Sequence, residues 1–308
     1  MVVYRRIEDV VPVANTVLTI GSYDGLHRGH QEVIRRVLTK GRKGNRKSVV
    51  VTFDPHPKQI LGSEEDRFDV IMDVERKLRF LEDMGVDISL IIPFDLDFSR
   101  TSATDFLDTI IIPSFDPFEI IIGHDHRFGH DREGDSELLR KYEQDGRFRV
   151  EVVHGVKGND RVISSRYIRD LIRRGQVREA SRELGWVYGF NATVVRGAGR
   201  GRALTFPTAN FVPKNPAQLL PRTGVYCARG IVQEHRYDGM ANIGYRPTFD
   251  EADFVMEIHL FDGNVEDLYG ETIEVEFVER IRDEKKFRST DRLVEQLKKD
   301  RETCLGQL

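Results

Sequence analysis

A glycine-rich segment near the amino terminus constrains the fold of this chain more than any other feature. The apolar run Val17–Ile20 is typical of a short buried strand, and it ends at Gly21. A helical pattern begins at about His30, with four apolar residues on one face: Val33, Ile34, Val37 and Leu38. The residues between them read GSYDGLHRG. A strand that passes directly into a helix through glycines is typical of an α/β fold.

Strands and helices alternate through the first part of the chain. Apolar and β-branched runs predict further strands, at Ser48–Phe53, Ile88–Ile92, Phe118–Ile122 and Arg149–Val153. Apolar residues at helical spacing lie between them, from Val74 to Met84 and over Thr104–Ile112. The alternation predicts a mostly parallel sheet with helices on both faces, in which ligands bind beyond the carboxyl ends of the strands.

The pattern changes near Gly185–Gly189. Short strand-like runs separated by Gly and Pro turns follow, at Phe190–Val195, Val225–Ala228, Phe254–Leu260 and Thr272–Val278. A last helix is expected over Asp291–Lys299. We therefore predict two domains, residues 1–185 with the α/β pattern and residues 186–308 with a small antiparallel β-barrel and a carboxyl-terminal helix.

The overall charge and the cysteine count exclude several classes of protein. The 308 residues include 47 Lys and Arg against 51 Asp and Glu, a formal net charge of -4. Proteins that bind nucleic acid through many phosphates usually have a basic excess, so no nucleic-acid partner is expected. No apolar stretch is long enough to span a bilayer, so no membrane partner is expected either. Cys227 and Cys304 are far apart in the sequence and cannot form a disulfide framework or a zinc site by themselves, which fits a cytoplasmic location.

The first group of chemically suggestive residues lies at the start of the first helix. His27 and His30 flank Gly29 there, where backbone N–H groups and the helix dipole favour a bound anion. Imidazole donors can stabilise charge that develops on a phosphoryl group. The alternative is a plain turn with exposed histidines, but the glycines around the pair favour an anion site.

The second group begins with the glycine-rich turn GAGRGR at 197–202 and continues to Pro207, Thr208, Ala209 and Asn210. A glycine-rich turn alone is a weak signal, and a flexible interdomain turn is the alternative. The Thr and Asn oxygens, however, suit a magnesium ion shared with nucleotide phosphates.

Glu257 is a candidate general base. It lies on the strand face opposite Met256 and Ile258, and Val255 makes its own face partly apolar. A carboxylate in such surroundings can accept a proton from a hydroxyl group, although a solvent-facing structural glutamate is the alternative.

These segments together resemble the bacterial bifunctional riboflavin kinase/FMN adenylyltransferase family. In the first half, GSYDGLHRGH at 21–30 resembles the family's HxGH signature, and TFDPHP at 52–57, GHDHRFG at 123–129 and ISSRYIR at 163–169 resemble its supporting motifs. In the second half, five segments resemble the kinase motifs, namely 197–210, NIGYRPTF at 242–249, EIHL at 257–260, LYG at 268–270 and RDEKKF at 282–287.

The resemblance implies a Rossmann-like nucleotidyltransferase domain followed by a six-stranded riboflavin kinase barrel. It implies ATP-dependent phosphorylation of riboflavin to FMN, then adenylylation of FMN to FAD with release of pyrophosphate. ATP, riboflavin and FMN would be the partners, Mg²⁺ the cofactor, and FMN and FAD the products. We expect a monomer or weak self-association.

The resemblance also implies roles for individual residues. Glu257, His27 and His30 would be catalytic, and Thr208 and Asn210 would hold the metal. The implied flavin contacts are Arg282, Glu284 and Phe287. The implied nucleotide contacts are Gly21, Ser22, Asp24, Gly29, Asp125, Arg127, Ser164, Ser165, Arg169, Gly199, Gly201 and Arg202.

Three residues depart from the family pattern. His126 replaces an aromatic residue, Arg166 replaces a Ser or Thr, and Thr205 replaces a glycine. The first two leave open an alternative, a riboflavin kinase whose first domain binds nucleotide with weak or no adenylyltransferase activity. A non-enzymatic flavin or RNA sensor is a second alternative, against which the near-neutral charge and the full set of catalytic residue types argue.

Overall fold

The chain forms two compact units, Met1–Ser165 and Arg166–Leu308. The computed structural model describes residues 1–62, 68–158, 161–196, 206–233, 235–247, 252–261 and 268–308. The predicted domain boundary between residues 185 and 186 lies downstream of the division between these units and stays a prediction. No helix within the described ranges combines the length and the apolar character needed to cross a membrane.

The first unit is built on a sheet of six parallel strands. These are β1 (Val2–Tyr4), β2 (Thr16–Ile20), β3 (Ser48–Asp54), β4 (Ile88–Pro93), β5 (Pro117–Gly123) and β6 (Arg149–Val153). Their order in the sheet is β1-β4-β3-β2-β5-β6. After β2 the chain adds β3 and β4 on one side of that strand, and it then crosses over to add β5 and β6 on the other side. The point of reversal lies between β2 and β5, where ligands of such sheets bind. A two-stranded hairpin of β7 (Lys157–Gly158) and β8 (Arg161–Val162) follows.

Helices cover both faces of this sheet. They are α1 (Arg28–Lys43), α2 (Pro57–Leu61), α3 (Val74–Met84), α4 (Ala103–Asp105), α5 (Ile112–Phe115) and α6 (Ser136–Gln144). A π-helical segment, Phe106–Ile111, joins α4 to α5. Single 3-10 turns lie at Ile7–Asp9, Phe98–Arg100 and His130–Arg132.

The alternation of side chains along the strands explains why both faces are apolar. Leu18 and Ile20 join one buried cluster with residues of α4 and α5, whereas Val17 packs with Val33 and Val37 of α1. Successive residues of a strand point to opposite faces, so β2 contributes to both clusters. A strand buried on both faces reads as the continuous apolar run found in the sequence.

Over its described residues, the second unit is a closed antiparallel barrel with three helices. Its strands are β9 (Gly189–Val195), β10 (Ala209–Pro213), β11 (Gly224–Val232), β12 (His235–Pro247), β13 (Ala252–Leu260) and β14 (Thr272–Arg282). They close in the order β10-β13-β12-β11-β14-β9. The helices are α7 (Ser165–Arg173), α8 (Val177–Leu184) and α9 (Thr290–Leu305). The predicted fold class is confirmed for both units.

The two cysteines, distant in the sequence, meet where α9 packs on the barrel. Cys227 of β11 and Cys304 of α9 are free, buried thiols in one apolar cluster with Phe206 and Met240. The hydrogen bond between the two thiols, together with burial, raises the pKa of Cys304. The pair therefore acts as neutral packing between helix and barrel.

Helix α8 belongs to the barrel unit in its packing. Val177, Ala180 and Leu184 are fully buried, and the helix packs against β14. Arg178 forms an ion pair with Glu279 of that strand. The barrel unit is thus covered on this side by residues that precede the predicted boundary.

This packing predicts that α7 and α8 contribute to the stability of the barrel unit. We expect a fragment of residues 166–308 to be more stable to urea than a fragment of residues 186–308, by several kcal/mol, because burying each large apolar side chain contributes about 1.5–3 kcal/mol. Folded protein of either fragment should phosphorylate riboflavin. Equal urea midpoints would instead support a domain that begins at residue 186.

Candidate active sites

The first candidate site lies at the carboxyl end of β2. His27 is the N-cap residue of α1, and its Nδ1 accepts a hydrogen bond from the His30 backbone N–H at 3.3 Å. The two imidazole rings stack with centroids 3.5 Å apart and planes 18° apart. Because Nδ1 of His27 is the acceptor in this cap, its neutral ring carries the proton on Nε2, which can donate to a ligand.

Both histidines are neutral near pH 7. Burial lowers the pKa of His27 to about 4, although the Asp125 carboxylate acts in the opposite direction. Burial also lowers the pKa of His30 well below its usual value, and the positive charges of Lys77 and of His27 in its protonated form add to this effect. Within the part of the chain that the structure describes, the His30 Nδ1 atom is buried and has no hydrogen-bond partner. Buried polar atoms usually have partners, so this nitrogen suits a ligand.

Asp24, a residue of the loop between β2 and α1, anchors this loop to the segment before α3. This side chain is only 3% exposed, and its Oδ1 accepts hydrogen bonds from the backbone N–H groups of Ile71 at 2.9 Å and Met72 at 3.3 Å. The Ser165 hydroxyl donates to the Asp24 carbonyl at 2.9 Å. In this structure Asp24 and Ser165 therefore hold the loop in shape, and their predicted nucleotide contacts stay predictions.

Two glycines of this loop are required by their surroundings. Gly25 has φ +80°, and a Cβ there would lie 3.0 Å from Cγ2 of Ile71. A Cβ at Gly29 would lie 3.1 Å from Cε1 and Nδ1 of His27. The glycines thus allow the loop to turn and the cap histidine to pack against the helix start.

Lys77 of α3 is a candidate that the sequence analysis missed. The side chain is buried, and Nζ donates to the Ser22 carbonyl at 2.7 Å and to Thr52 Oγ1 at 3.2 Å. Burial lowers the pKa of Lys77, while three nearby aspartates oppose this shift. The residue lies on the buried face of α3 beside Leu78. A charge within the apolar face of a helix is the sequence signal that could have identified it.

The loop after β5 forms the other side of the site. The ring of His126 stacks on that of Phe128, with centroids 5.5 Å apart and planes 21° apart. His126 therefore packs as the aromatic residue that the family usually has at this position would pack. Burial lowers the pKa of His126 to about 4. Asp125 is exposed, and the exposed guanidinium of Arg127 pairs with Asp135.

A cluster of phenylalanines lies at the carboxyl ends of β3 and β4, and sequence analysis missed it. The ring centroids of Phe53 and Phe94 are 5.8 Å apart, and those of Phe94 and Phe98 are 5.7 Å apart. Phe106 continues the cluster from Phe98 to Phe128, at 6.1 and 6.0 Å. Phe53, Phe94 and Phe98 are half-buried, so part of this aromatic surface faces solvent.

The remaining predicted nucleotide contacts are distributed differently. Ser164 is half-buried before α7, and Arg169 is buried within α7, in the second unit. Arg166 is exposed on the same helix. Gly199, Gly201 and Arg202, together with Thr205, lie outside the described residues.

The second candidate site is a cavity of about 330 Å³ between the barrel and α9. Its lining combines apolar and polar side chains: Phe206, Thr208, Val225, Met240, Ala241, Asn242, Glu257, His259, Arg282, Glu284, Lys285, Phe287, Leu293 and Leu297. The three predicted flavin contacts, the predicted base and one predicted metal ligand thus meet in one place. A mostly apolar cavity with a few convergent polar groups is typical of a ligand site.

Strand register brings the polar groups together. Glu257 of β13 lies directly opposite Asn210 of β10 on one side and Asn242 of β12 on the other. The Thr208 hydroxyl donates to Oε1 of Glu257 at 3.4 Å. Directly paired residues of neighbouring strands share a face, so the two predicted metal ligands lie beside the predicted base.

His259 fixes the backbone that carries Thr208. Its Nδ1 donates to the Pro207 carbonyl at 2.7 Å, and burial lowers its pKa. His259 belongs to the EIHL motif, from which no role was predicted for it. The hydrogen bond indicates a positioning role, because it ties β13 to the segment before β10.

Glu284 closes one end of the cavity. Its Oε1 accepts a hydrogen bond from Asn242 Nδ2 and its Oε2 accepts one from the Tyr245 N–H, both at 3.3 Å. A Cβ at Gly244 would lie 1.7 Å from Oε1 of Glu284, so the carboxylate in this position packs directly on the Gly244 backbone. Among the described residues, no group of three or more His, Cys, Asp and Glu side chains is arranged to hold a metal ion.

Comparisons with known proteins cover both units. Residues 12–167 match the FAD synthetase family, and residues 184–308 match the riboflavin kinase family. A bifunctional riboflavin kinase/FMN adenylyltransferase of Bacillus subtilis is 34% identical over 295 residues, which cover 95% of this chain and 92% of that protein. One of the same name from Listeria monocytogenes is 35% identical over 287 residues, 93% of this chain and 90% of that protein.

A solved structure agrees in fold. A crystal structure described as a macrolide-efflux protein from Streptococcus pneumoniae has a TM-score of 0.88 and 34% sequence identity, and the match covers 98% of both chains. The two family matches and the two relatives, which this chain covers to 92% and 90% of their lengths, carry the assignment. The chain belongs to the bifunctional riboflavin kinase/FMN adenylyltransferase family.

Proposed function

We propose that the two activities of this family are carried out in this chain by two separate sites. The barrel cavity around Glu257 phosphorylates riboflavin to FMN, and the site around His27 and His30 adenylylates FMN to FAD. The observation that carries the proposal is the gathering of Thr208, Glu257 and Arg282 around one cavity, while the histidine pair caps a helix in the other unit.

In the kinase step, Glu257 takes the proton of the riboflavin 5′-hydroxyl as that oxygen attacks the γ-phosphorus of ATP, whose bond to the bridging oxygen breaks to release ADP. The Thr208 hydroxyl, 3.4 Å from Oε1 of Glu257, helps to orient the carboxylate. Phe206, Val225 and Met240 offer an apolar surface to the flavin ring.

The donor atoms near Glu257 fit a magnesium ion. The side chains of Thr208, Asn210 and Glu257 each offer an oxygen atom, and oxygen is the ligand atom that Mg²⁺ prefers. Thr208 and Asn210 would hold the ion. When bound, it offsets charge on the ATP phosphates. The contacts of Gly199, Gly201 and Arg202 with ATP stay predictions.

In the adenylylation step, the FMN phosphate attacks the α-phosphorus of ATP. This nucleophile is already anionic, so no strong base is needed. His27 Nε2–H and the N–H groups at the start of α1 stabilise the charge that develops on the phosphate. The buried ammonium of Lys77 adds positive charge behind the loop. Ser164, Ser165 and Arg169 are further proposed phosphate contacts.

The phenylalanine cluster suits the flavin ring of FMN in this second step. Phe53, Phe94 and Phe98 are half-buried at the carboxyl edge of the sheet, the edge that also carries His27. Flat aromatic rings stack favourably on one another, which gives a site for the isoalloxazine.

The His27 cap of α1 and the contacts of Asp24 and Ser165 that hold its loop favour an active adenylyltransferase over a unit that only binds nucleotide. His126 stacks as an aromatic residue would, so its departure from the family pattern preserves the packing. The cytoplasmic location, the lack of nucleic-acid and membrane partners, and a monomeric or weakly associating state stay predictions.

The first prediction of this proposal concerns the histidine pair. Replacing His27 and His30 together by Ala should reduce FAD formation at least roughly a hundredfold, because the loss of one transition-state donor alone has about that effect. FMN formation from riboflavin should stay near the wild-type rate. Product chromatography after incubation with riboflavin and Mg-ATP measures both. The control is Arg28→Ala, an exposed neighbour; undiminished FAD yield in the double variant would sink the assignment.

The second prediction follows from the lowered pKa of His126, about 4 against an unfolded value near 6.5. The unfolded chain binds the proton more tightly, so this group reduces stability as the pH falls from 6.5 towards 4. His126→Phe should remove part of that loss, about 1–2 kcal/mol at pH 5. FAD formation should persist. Thermal unfolding at pH 7.5 and 5.0 measures the effect.

The matched control for this second prediction is His124→Phe, a change at an exposed histidine two residues away. It should leave the acid sensitivity as in the wild type. Identical acid sensitivity in His126→Phe and the wild type would contradict the burial of a neutral His126.

The third prediction concerns Glu257. Glu257→Gln keeps the size of the side chain but cannot accept the proton, so the kinase rate should fall roughly a hundredfold to ten-thousandfold. Riboflavin affinity and adenylylation of supplied FMN should change little. Glu271→Gln, at an exposed glutamate before β14, is the control. A folded Glu257→Gln protein with near-normal kinase turnover and a lowered melting temperature would show a structural glutamate instead.

A further inference from the structure

Helix α9 carries a buried carboxylate behind the flavin cavity. Asp300 is 3% exposed, and its oxygens accept hydrogen bonds from Arg282 Nε at 3.0 and 3.1 Å and from Nη2 at 2.7 Å. Arg282 lines the cavity at the end of β14. A planar guanidinium held by two oxygens of one carboxylate has its orientation fixed, which a single contact would not achieve.

The remaining contacts of Arg282 leave donors for a ligand. Nη1 donates to the Asp283 carbonyl at 3.0 Å, and the guanidinium carbon lies 5.9 Å from the centre of the Phe287 ring. Arg282 has five N–H groups, and these contacts use one each on Nε, Nη1 and Nη2. Within the described part of the chain, one N–H on each terminal nitrogen is therefore left for a flavin.

Asp300 is itself held in place. Gln296, one helical turn earlier, donates from Nε2 to Oδ1 of Asp300 at 2.8 Å. The sequence analysis did not find either residue, because an acidic residue in a charged helix resembles a solvent-facing one. Three side chains, Gln296, Asp300 and Arg282, thus form a chain of contacts that runs from α9 to the cavity.

Apolar packing and a hydrogen bond at the carboxyl end also attach α9 to the barrel, in addition to this ion pair. Cys304, Val294 and Leu297 pack into the apolar cluster with Cys227 and Met240. The carboxyl end is also tied down, because Arg229 Nη2 donates to the Leu308 carbonyl at 2.7 Å. A buried ion pair adds little net stability compared with apolar packing, and the position of Arg282 in the cavity lining points to a role there.

We propose that Asp300 is a positioning residue for the kinase reaction, which orients Arg282 towards riboflavin and is supported by Gln296. The inference rests on the proposed flavin contact of Arg282. Preorganisation of a donor before the ligand arrives improves binding without any direct contact from the residue that positions it.

The test is a double-mutant cycle in the full chain, with Asp300→Asn, Arg282→Gln and the double variant. The equilibrium affinity for riboflavin is measured by its fluorescence, and KM for ATP, kcat and melting temperature are measured on the same preparations. Asp300→Asn should weaken riboflavin binding roughly tenfold, with KM for ATP nearly unchanged. Adding Asp300→Asn to Arg282→Gln should change riboflavin affinity less than about twofold, because the two residues act as one unit.

Two further variants keep the outcome decisive. Gln296→Met leaves the ion pair but removes its support, so it should weaken riboflavin binding by a smaller factor even if Asp300→Asn folds poorly. Glu295→Gln changes an exposed residue of α9 that pairs with Arg292 and Lys299, and it should have no effect on riboflavin binding.

The outcomes separate the inference from the proposed function. Normal riboflavin affinity in folded Asp300→Asn, or in Gln296→Met where Asp300→Asn does not fold, would overturn the positioning role. Additive effects in the cycle would also overturn it. Normal affinity in Arg282→Gln would overturn the flavin contact itself, whereas failure of the wild type to form FMN would overturn the kinase assignment.

Discussion

The backbone pairing of β2 with β5 is the constraint on which the first site depends. Leu18 lies opposite Ile120, so the two strands end side by side although about a hundred residues separate them in the sequence. The loop with His27 and the loop with Asp125 therefore meet at one edge of the sheet, at the point where the strand order reverses. Burial of both faces of β2 keeps this register, because a slip by one residue would turn every side chain of the strand into the cluster on the opposite face.

The two sites use charge in opposite ways. In the first site, burial keeps the two histidines neutral. The positive potential comes from the backbone N–H groups at the start of α1 and from the Lys77 ammonium behind the loop. The second keeps charged groups at the cavity but pairs them, as Arg282 with Asp300 shows. An anionic phosphate suits the first arrangement, whereas a neutral flavin alcohol suits the second, where a carboxylate can accept its proton.

Local sequence was sufficient to predict the features that lie within one segment. The strand, glycine loop and histidine pair at 17–30 follow one another directly, so spacing alone indicated their geometry. Lys77 could not be found in this way, because its contact with Ser22 joins residues 55 apart in the sequence. The phenylalanine cluster likewise gathers residues from separate loops.

The barrel shows the same limit at the level of strands. β9, β11, β13 and β14 were predicted from their apolar runs, but the individual segments β10 and β12 were not. β12 contains Gly239, Asn242 and Gly244, which have low strand propensity on their own. Their neighbours β11 and β13 supply the hydrogen bonds that hold them in the sheet. Asp24 illustrates the converse, since its motif was found but its buried anchoring contact was not.

The register of β13 has a consequence for how the barrel can vary. Met256 and Ile258 are buried on one face of the strand, and Glu257 stands on the other between Asn210 and Asn242. A shift by one residue would carry the carboxylate into the apolar interior and turn two apolar side chains outward. Because the barrel is closed, β13 is paired on both sides, and such a shift would disrupt its pairing with both β10 and β12. A misregistered barrel would therefore be both unstable and inactive, so selection for a stable fold also preserves the alignment of the proposed base.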